Sequence, residues 1–230
     1  MTLNVQRRVG LLIPSSNTMM EVDFARGLPP DCTLHAGRMY LEDTTEEGEN
    51  RMLDEFALSA ARDLGTARPD VVIFGCTSAG ALRGNDYDAT LCETISAITG
   101  APTVSTIQSV RAAIRASGAR RVGVITPYVD LLNQRIKASI EADDVEVVSI
   151  SGLGITENFA IARIPTDEIV EFAAAQLGSL DIDLAFASCT NFGAVQAIPA
   201  LRYRLGIPII TSNQAVLDAT VSLLGTFVAA

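Results

Sequence analysis

The chain has 230 residues, enough for one large or two small domains with an ample core, and 48% of them are apolar. A formal charge of −10, with no basic cluster larger than Arg7-Arg8 or Arg120-Arg121, argues against a nucleic-acid partner. No apolar run approaches the roughly 20 residues of a membrane span, and the opening MTLNVQRRVGLLIP lacks the layout of a secretory signal, so a cytoplasmic protein with reduced cysteines is expected.

Aromatic residues are only 5% and there is no Trp, so Ala, Val and Ile fill the interior, as in layered α/β folds. Residues 8–13 (RVGLLI) read as a first strand and residues 14–18 as the loop after it. Residues 19–26 start a helix with Asn17 or Thr18 as N-cap. Such a junction is either an anion cradle or a plain capped helix start. A turn at Pro29-Pro30-Asp31 leads into a second strand over residues 33–39. The polar stretch 42–50 reads as a solvated turn, with a loop over a cleft as the alternative. Leu53, Phe56, Ala57, Ala60 and Leu64 recur at helical spacing and give residues 51–64 an apolar face. The unalternated run Val71-Val72-Ile73-Phe74 suits a strand covered on both faces, as in a parallel sheet, and leads to Cys76. Residues 87–99 read as a helix with Cys92 in the core, 102–106 as a strand and 108–116 as a helix closed by Gly118.

The second half repeats that order. Strand 122–126, helix 131–142 and strand 145–150 are followed by the polar loop 152–158. A helix with an acidic first turn runs from Thr166 to Leu177. The apolar run Leu184-Ala185-Phe186-Ala187 then leads to Cys189, a helix over 194–205, a strand over 207–211 and a final helix over 214–227. The match extends to the letters. PDVVIFGCTSAG is echoed by IDLAFASCTNFG at an offset of 189 − 76 = 113, and RRVGLLIP by RRVGVITP at 120 − 7 = 113. ITGAPTVSTIQSV and RLGIPIITSNQAV align Gly100 with Gly206, an offset of 206 − 100 = 106. The chain therefore reads as two copies of one unit: pseudo-symmetric, parallel-sheet (flavodoxin-like) α/β lobes with the site in the cleft between them. Residues 1–106 form the first lobe, completed by the C-terminal segment 209–230, and residues 107–208 form the second. The last helix corresponds to residues 109–116 and is placed to cross over onto the first lobe.

Each copy ends a buried strand in a cysteine. The carboxyl ends of parallel strands are where open α/β sheets bind ligands, and a nearby helix N-terminus favours a thiolate. The alternative is a pair of buried structural cysteines. If Cys76 and Cys189 face one cleft, three chemistries follow. A racemase takes a proton from one face of a carbon and returns one on the other. An isomerase adds a thiolate to an alkene, lets the bond rotate and eliminates. A decarboxylase needs one thiol to protonate an enediolate. Each requires fixed donors around a carboxylate. No histidine or basic side chain is clearly placed to help, Arg83 being the nearest in sequence, so the candidate cradle is Asn17, Thr77, Ser78, Tyr128, Asn158, Thr190 and Asn191. Tyr128, taken alone, is equally a packing residue. The single histidine, His35, and the absence of CxxC leave no recognisable metal site. GxGxxG, GxxxxGK[ST] and GxSxG are all absent. A two-lobed carboxylate-binding protein without turnover is the non-enzymatic reading.

VGLLIPSSNT (residues 9–18), the two cysteine strands, ITPYVDLLNQR (125–135) and GITENFAIARI (154–164) resemble the aspartate/glutamate racemase superfamily, in the branch of maleate cis-trans isomerase and arylmalonate decarboxylase. The resemblance implies a cofactor-free pair of lobes acting on a small carboxylate, often as a homodimer. It implies Cys76 as the nucleophile that forms a succinyl thioether, Cys189 as proton donor and acceptor, and Asn17, Tyr128 and Asn158 as dicarboxylate ligands. Glutamate racemases look like DSGxGG after the first strand and CTH at the second cysteine, whereas this chain has PSSNT and Cys189-Thr190-Asn191. Arylmalonate decarboxylases lack the first cysteine, present here as Cys76, yet Thr77-Ser78 looks like their oxyanion-binding loop. The expectation is an isomerase, maleate to fumarate, with an acidic amino-acid racemase or an arylmalonate-type decarboxylase as alternatives.

Overall fold

The computed structural model describes residues 7–226. Its strands are β1 (Arg7–Pro14), β2 (Cys32–Met39), β3 (Val71–Phe74), β4 (Thr103–Ser105), β5 (Arg121–Thr126), β6 (Glu146–Gly152), β7 (Leu184–Ala187) and β8 (Ile209–Thr211). They form two parallel sheets, ordered β2-β1-β3-β4 and β6-β5-β7-β8. The orders correspond strand for strand, as the internal repeat requires. Because parallel strands need crossovers, helices cover the sheet faces, and β3 and β7 are buried along their whole lengths.

In each sheet the chain direction of building reverses beside the first strand, between β1 and β3 and between β5 and β7. Loops leaving adjacent strands there diverge to opposite faces and leave a crevice at the carboxyl ends. The segments that leave those four strands carry Asn17, Cys76, Tyr128 and Cys189. Topology thus explains why the two cysteines and the polar residues after β1 and β5 share one end of each lobe.

The helices of the first half are α1 (Met20–Gly27), α2 (Glu46–Arg51), α3 (Ala57–Gly65), α4 (Thr77–Leu82), α5 (Asn85–Thr99) and α6 (Thr106–Ser117). Those of the second are α7 (Asp130–Glu141), α8 (Asn158–Ile161), α9 (Thr166–Leu177), α10 (Ala194–Leu205) and α11 (Ser212–Thr226). One expectation needs correcting. Residues 46–51 are helical, capped by the Thr45 hydroxyl accepting from Gly48 N–H at 3.1 Å, and continue through a π-helical turn at Met52–Phe56 into α3. Far from being a solvated turn, this segment buries Glu49 completely. The reason is phase: Glu49 lies one turn before Leu53, on the apolar side of the same helical run.

Helix α11 leaves β8 of the second sheet and crosses to the first. Its Val216, Leu217 and Leu224 pack with Val9, Leu11, Ile13, Met20, Phe24, Val71 and Ile73. Its counterpart α6 leaves β4 and touches α11, α4 and β8. The sequence-predicted end of the last helix at Phe227 lies outside the described residues. Among the described residues no helix is long and apolar enough to cross a membrane.

Two outcomes follow. Leu224 is fully buried in the first lobe's core, so Leu224→Ala should cost about 3 kcal/mol, read as a lower urea midpoint at unchanged slope; an unchanged midpoint would show that α11 does not stabilise that lobe. Burial raises the Glu49 carboxyl from 4.5 to about 8. The folded state then holds a proton that the unfolded state has released, so this group's stability contribution is complete below about pH 4.5 and is lost as pH rises towards 8. Glu49→Gln should remove that loss, making the variant more stable than the parent above pH 8 by up to roughly 5 kcal/mol. Parallel pH–stability curves for the two proteins would contradict the assignment.

Candidate active site

The site is built at the seam between lobes. Cys76 sits at the N-terminus of α4 in extended conformation, 4% exposed, with the Ala79 N–H directed at its sulfur. Cys189 follows β7 at φ 111°, a backbone conformation that costs a non-glycine residue of order 1–3 kcal/mol. That turn aims Asn191 N–H at the Cys189 sulfur, 3.2 Å away, and brings the Phe192 N–H to it as well. The Tyr128 phenol, buried at the end of β5, hydrogen-bonds the same sulfur. One strand end in each lobe therefore delivers a thiol into a nest of neutral donors.

The thiols share one electrostatic environment. Burial pushes Cys76 well above its ordinary value, Glu49 pushes it further, and the charge of Cys189 adds to the same effect. Cys189 is raised by burial to about 11 despite the donors around it. Tyr128 is raised by burial and by both thiols. These groups hold their protons at neutral pH, so the site is a set of poised acids. Neither nearby guanidinium turns into it. Arg83 binds Asn50, Asp54 and Tyr87, and Arg38 binds the Ser15 and Asn17 carbonyls and Glu21.

The other sequence-predicted residues meet across the seam. Asn17 caps α1, its Oδ1 accepting from Met19 and Met20 N–H at 3.1 and 3.0 Å, and its Nδ2 donates to Thr190 Oγ1 at 3.0 Å. Thr190 Oγ1 donates to the Gly75 carbonyl at 3.1 Å. Asn191 accepts from Thr18 N–H at 2.9 Å and donates to the Asn158 carbonyl at 2.7 Å. Asn158 donates to Ser16 Oγ at 2.8 Å and accepts from Thr44 Oγ1 at 3.1 Å. Thr77 Oγ1 donates to Ser212 Oγ at 2.9 Å, and that oxygen also receives the Cys189 N–H at 3.0 Å. All nine predicted residues are thus buried at this seam, in contact with one another or with its immediate shell.

Four residues of the site escaped sequence reading: Ser16, Thr44, Glu49 and Ser212. Glu49 accepts a hydrogen bond from Ser78 Oγ, which lies 3.8 Å from the Cys76 sulfur. Its phase with Leu53 was the available signal. Ser212 aligns with Thr106 at the same 212 − 106 = 106 offset as the glycines, so the repeat could have found it. Two segments, one from each lobe, clasp beside these groups. Thr44 N–H donates to the Thr156 carbonyl at 2.6 Å, Asn158 N–H to the Glu42 carbonyl at 2.9 Å, and Asp43 bridges Glu157 antiparallel.

The chain is similar to known proteins along nearly its whole length. A family model described as arylmalonate decarboxylase matches residues 9–230. Over 218 residues the chain is 30% identical to an arylmalonate decarboxylase from Bordetella bronchiseptica, covering 94% of this chain and 90% of that one. It is 27% identical over 222 residues to a maleate isomerase from Geobacillus stearothermophilus, covering 89% and 86%. The crystal structure of a cysteine-to-alanine variant of the maleate isomerase Iso from Pseudomonas putida S16 with maleate matches at a TM-score of 0.89 and 27% identity, covering 95% of this chain and 92% of that one. Matched from Val9 to its last residue, the chain belongs to the arylmalonate decarboxylase family of enzymes, with maleate isomerases among its relatives.

Proposed function

We propose that this protein is a cofactor-independent isomerase of a small dicarboxylate and that it converts maleate to fumarate. The observation that carries this reading is the pair of thiols, one from each lobe, close enough that the charge of one opposes ionisation of the other. Cys76, as thiolate, adds to one alkene carbon. The electron pair moves onto the adjacent carbon and its carboxylate, and Cys189 gives that carbon a proton. The former double bond is now single and turns. Cys189 then takes a proton back, the double bond re-forms as trans, and the sulfur of Cys76 leaves with its electrons. Atoms balance without a redox partner, and each step uses only the acid and base forms of the two thiols.

The substrate carboxylates require donors, and neutral ones are what the seam offers. Tyr128 donates from the second lobe, and the amides of Asn17 and Asn158 with the hydroxyls of Thr77, Ser78 and Thr190 exchange their protein partners for carboxylate oxygens. Asn191 holds the strained turn that presents Cys189. The likeness to a maleate isomerase holding maleate supports the substrate. The 30% identity to a decarboxylase, together with the hydroxyls of Thr77 and Ser78 at the helix start, favours a second reading. In it an arylmalonate loses CO2 and Cys189 protonates the enediolate, while Cys76 stands idle.

Substitution separates these. Under the isomerase reading Cys76→Ala and Cys189→Ala each lower maleate turnover by at least about 10³-fold, whereas Cys32→Ala and Cys92→Ala stay within a few-fold of the parent. Decarboxylation that survives Cys76→Ala would replace the isomerase reading with the second one. In Cys189→Ser protein, intact mass after incubation with maleate should show a single adduct, mapped to Cys76; an adduct elsewhere, or none, would remove the thioether from the mechanism.

A further inference from the structure

Glu49 does not belong to any chemistry assigned so far. It is fully buried on α2, beside the start of α4, with one carboxyl oxygen accepting from Ser78 Oγ and the other, Oε2, buried without a hydrogen-bond partner among the described residues. A carboxylate in such a place is costly unless it is used or protonated. Its charge is felt by Cys76, Cys189 and Tyr128 together, so it lies within the dithiol site. Ser78 stands between it and the nucleophile, its hydroxyl 3.8 Å from the Cys76 sulfur. A hydroxyl both donates and accepts, which is what a relay position needs.

We propose that Cys76, Ser78 and Glu49 form a proton relay in which Glu49, acting through Ser78, takes the proton that Cys76 loses as its sulfur attacks. The inference rests on Cys76 being the nucleophile. As the S–H bond breaks, Ser78 Oγ gains that proton and passes its own to Glu49 Oε1. The sulfur keeps the electron pair and spends it on the new carbon–sulfur bond. One negative charge enters the step on the carboxylate and leaves it on the sulfur and then the substrate. When the thioether breaks, the proton returns by the same path, so nothing external is consumed. Glu49 touches no reacting atom and is a positioning residue for the proton.

The buried setting supports the assignment. An ordinary carboxylate is a poor base towards a thiol; burial brings Glu49 to about 8 and so narrows the gap to Cys76, which burial also raises above its ordinary value. The titratable groups that face it are Cys76 from the start of α4 and Cys189 and Tyr128 from the second lobe. Arg83, at the far end of α4, is held by Asn50 and Asp54, and Glu46 on α2 pairs with Arg135. Arg51, also on α2, pairs with Glu55, and among the described residues no cation is felt by Glu49.

Two readouts test this. Alkylation of Cys76 by iodoacetamide, quantified on its peptide by mass across pH 6–11 (a range of roughly two units either side of the thiol's ordinary 8.5), should rise in two steps in the full-length protein, the first near 8, because thiol and carboxyl titrate as a coupled pair. Glu49→Gln should show one step. Maleate turnover at neutral pH should fall about 10²-fold in Glu49→Gln and in Ser78→Ala, with the double variant no worse than either, and Glu49→Asp should recover part of the loss. Removing a merely repulsive charge would make Cys76 more acidic and leave turnover equal or faster. That result, or single-step alkylation of the parent, overturns the relay. If Cys76→Ala itself keeps full turnover, the nucleophile assignment falls first and the relay with it; if Cys76→Ala is inactive while Glu49→Gln matches the parent, only the relay falls.

Discussion

The structure depends on placing two thiols, a phenol and a carboxyl in one buried seam, with no guanidinium among the described residues turned towards them. In low dielectric each charged form is penalised, so every one of these groups is driven to keep its proton. Cys76, Cys189, Tyr128 and Glu49 all move in that direction, and burial is the first cause for each. Apart from the ionised fraction of Glu49, such a site can stabilise a substrate anion only through hydrogen bonds.

That constraint explains the rest of the seam. Neutral donors must be numerous and fixed, because each contributes less than an ion would. Asn17, Asn158, Thr190 and Asn191 are fixed by one another across the lobes. Cys189 accepts a strained backbone so that two N–H groups and a phenol converge on its sulfur. The clasp between residues 42–44 and 156–158 joins the two lobes beside these bonds. Chain crossing by α11 ties the second sheet to the first lobe's core and holds the seam in register.

Most of the architecture could be read from letters because the chain states it twice. An apolar run such as Val71–Phe74 is ambiguous alone, but its echo at Leu184–Ala187, each followed by a cysteine, required two equivalent strands at two equivalent edges. Cys76, Cys189 and Tyr128 followed from that symmetry, and the same symmetry could have found Ser212. Glu49 was hidden for a physical reason. It stands in a run of charged residues that composition assigns to solvent, and its phase with Leu53, one turn on, is too slight a signal to outweigh that run. Asn17 was read as a helix cap or an anion ligand; its Oδ1 caps α1 while its Nδ2 reaches the other lobe.

The relatives of this chain include a decarboxylase and maleate isomerases, and the two readings proposed for its site differ in whether Cys76, which follows β3, takes part. Proton NMR of maleate and of an arylmalonate, each incubated with the full-length protein, reads both outcomes on the same scale. The account predicts that the cis vinyl signal of maleate is replaced by that of fumarate while the arylmalonate stays intact. Unchanged maleate beside an arylmalonate losing CO2 would contradict it.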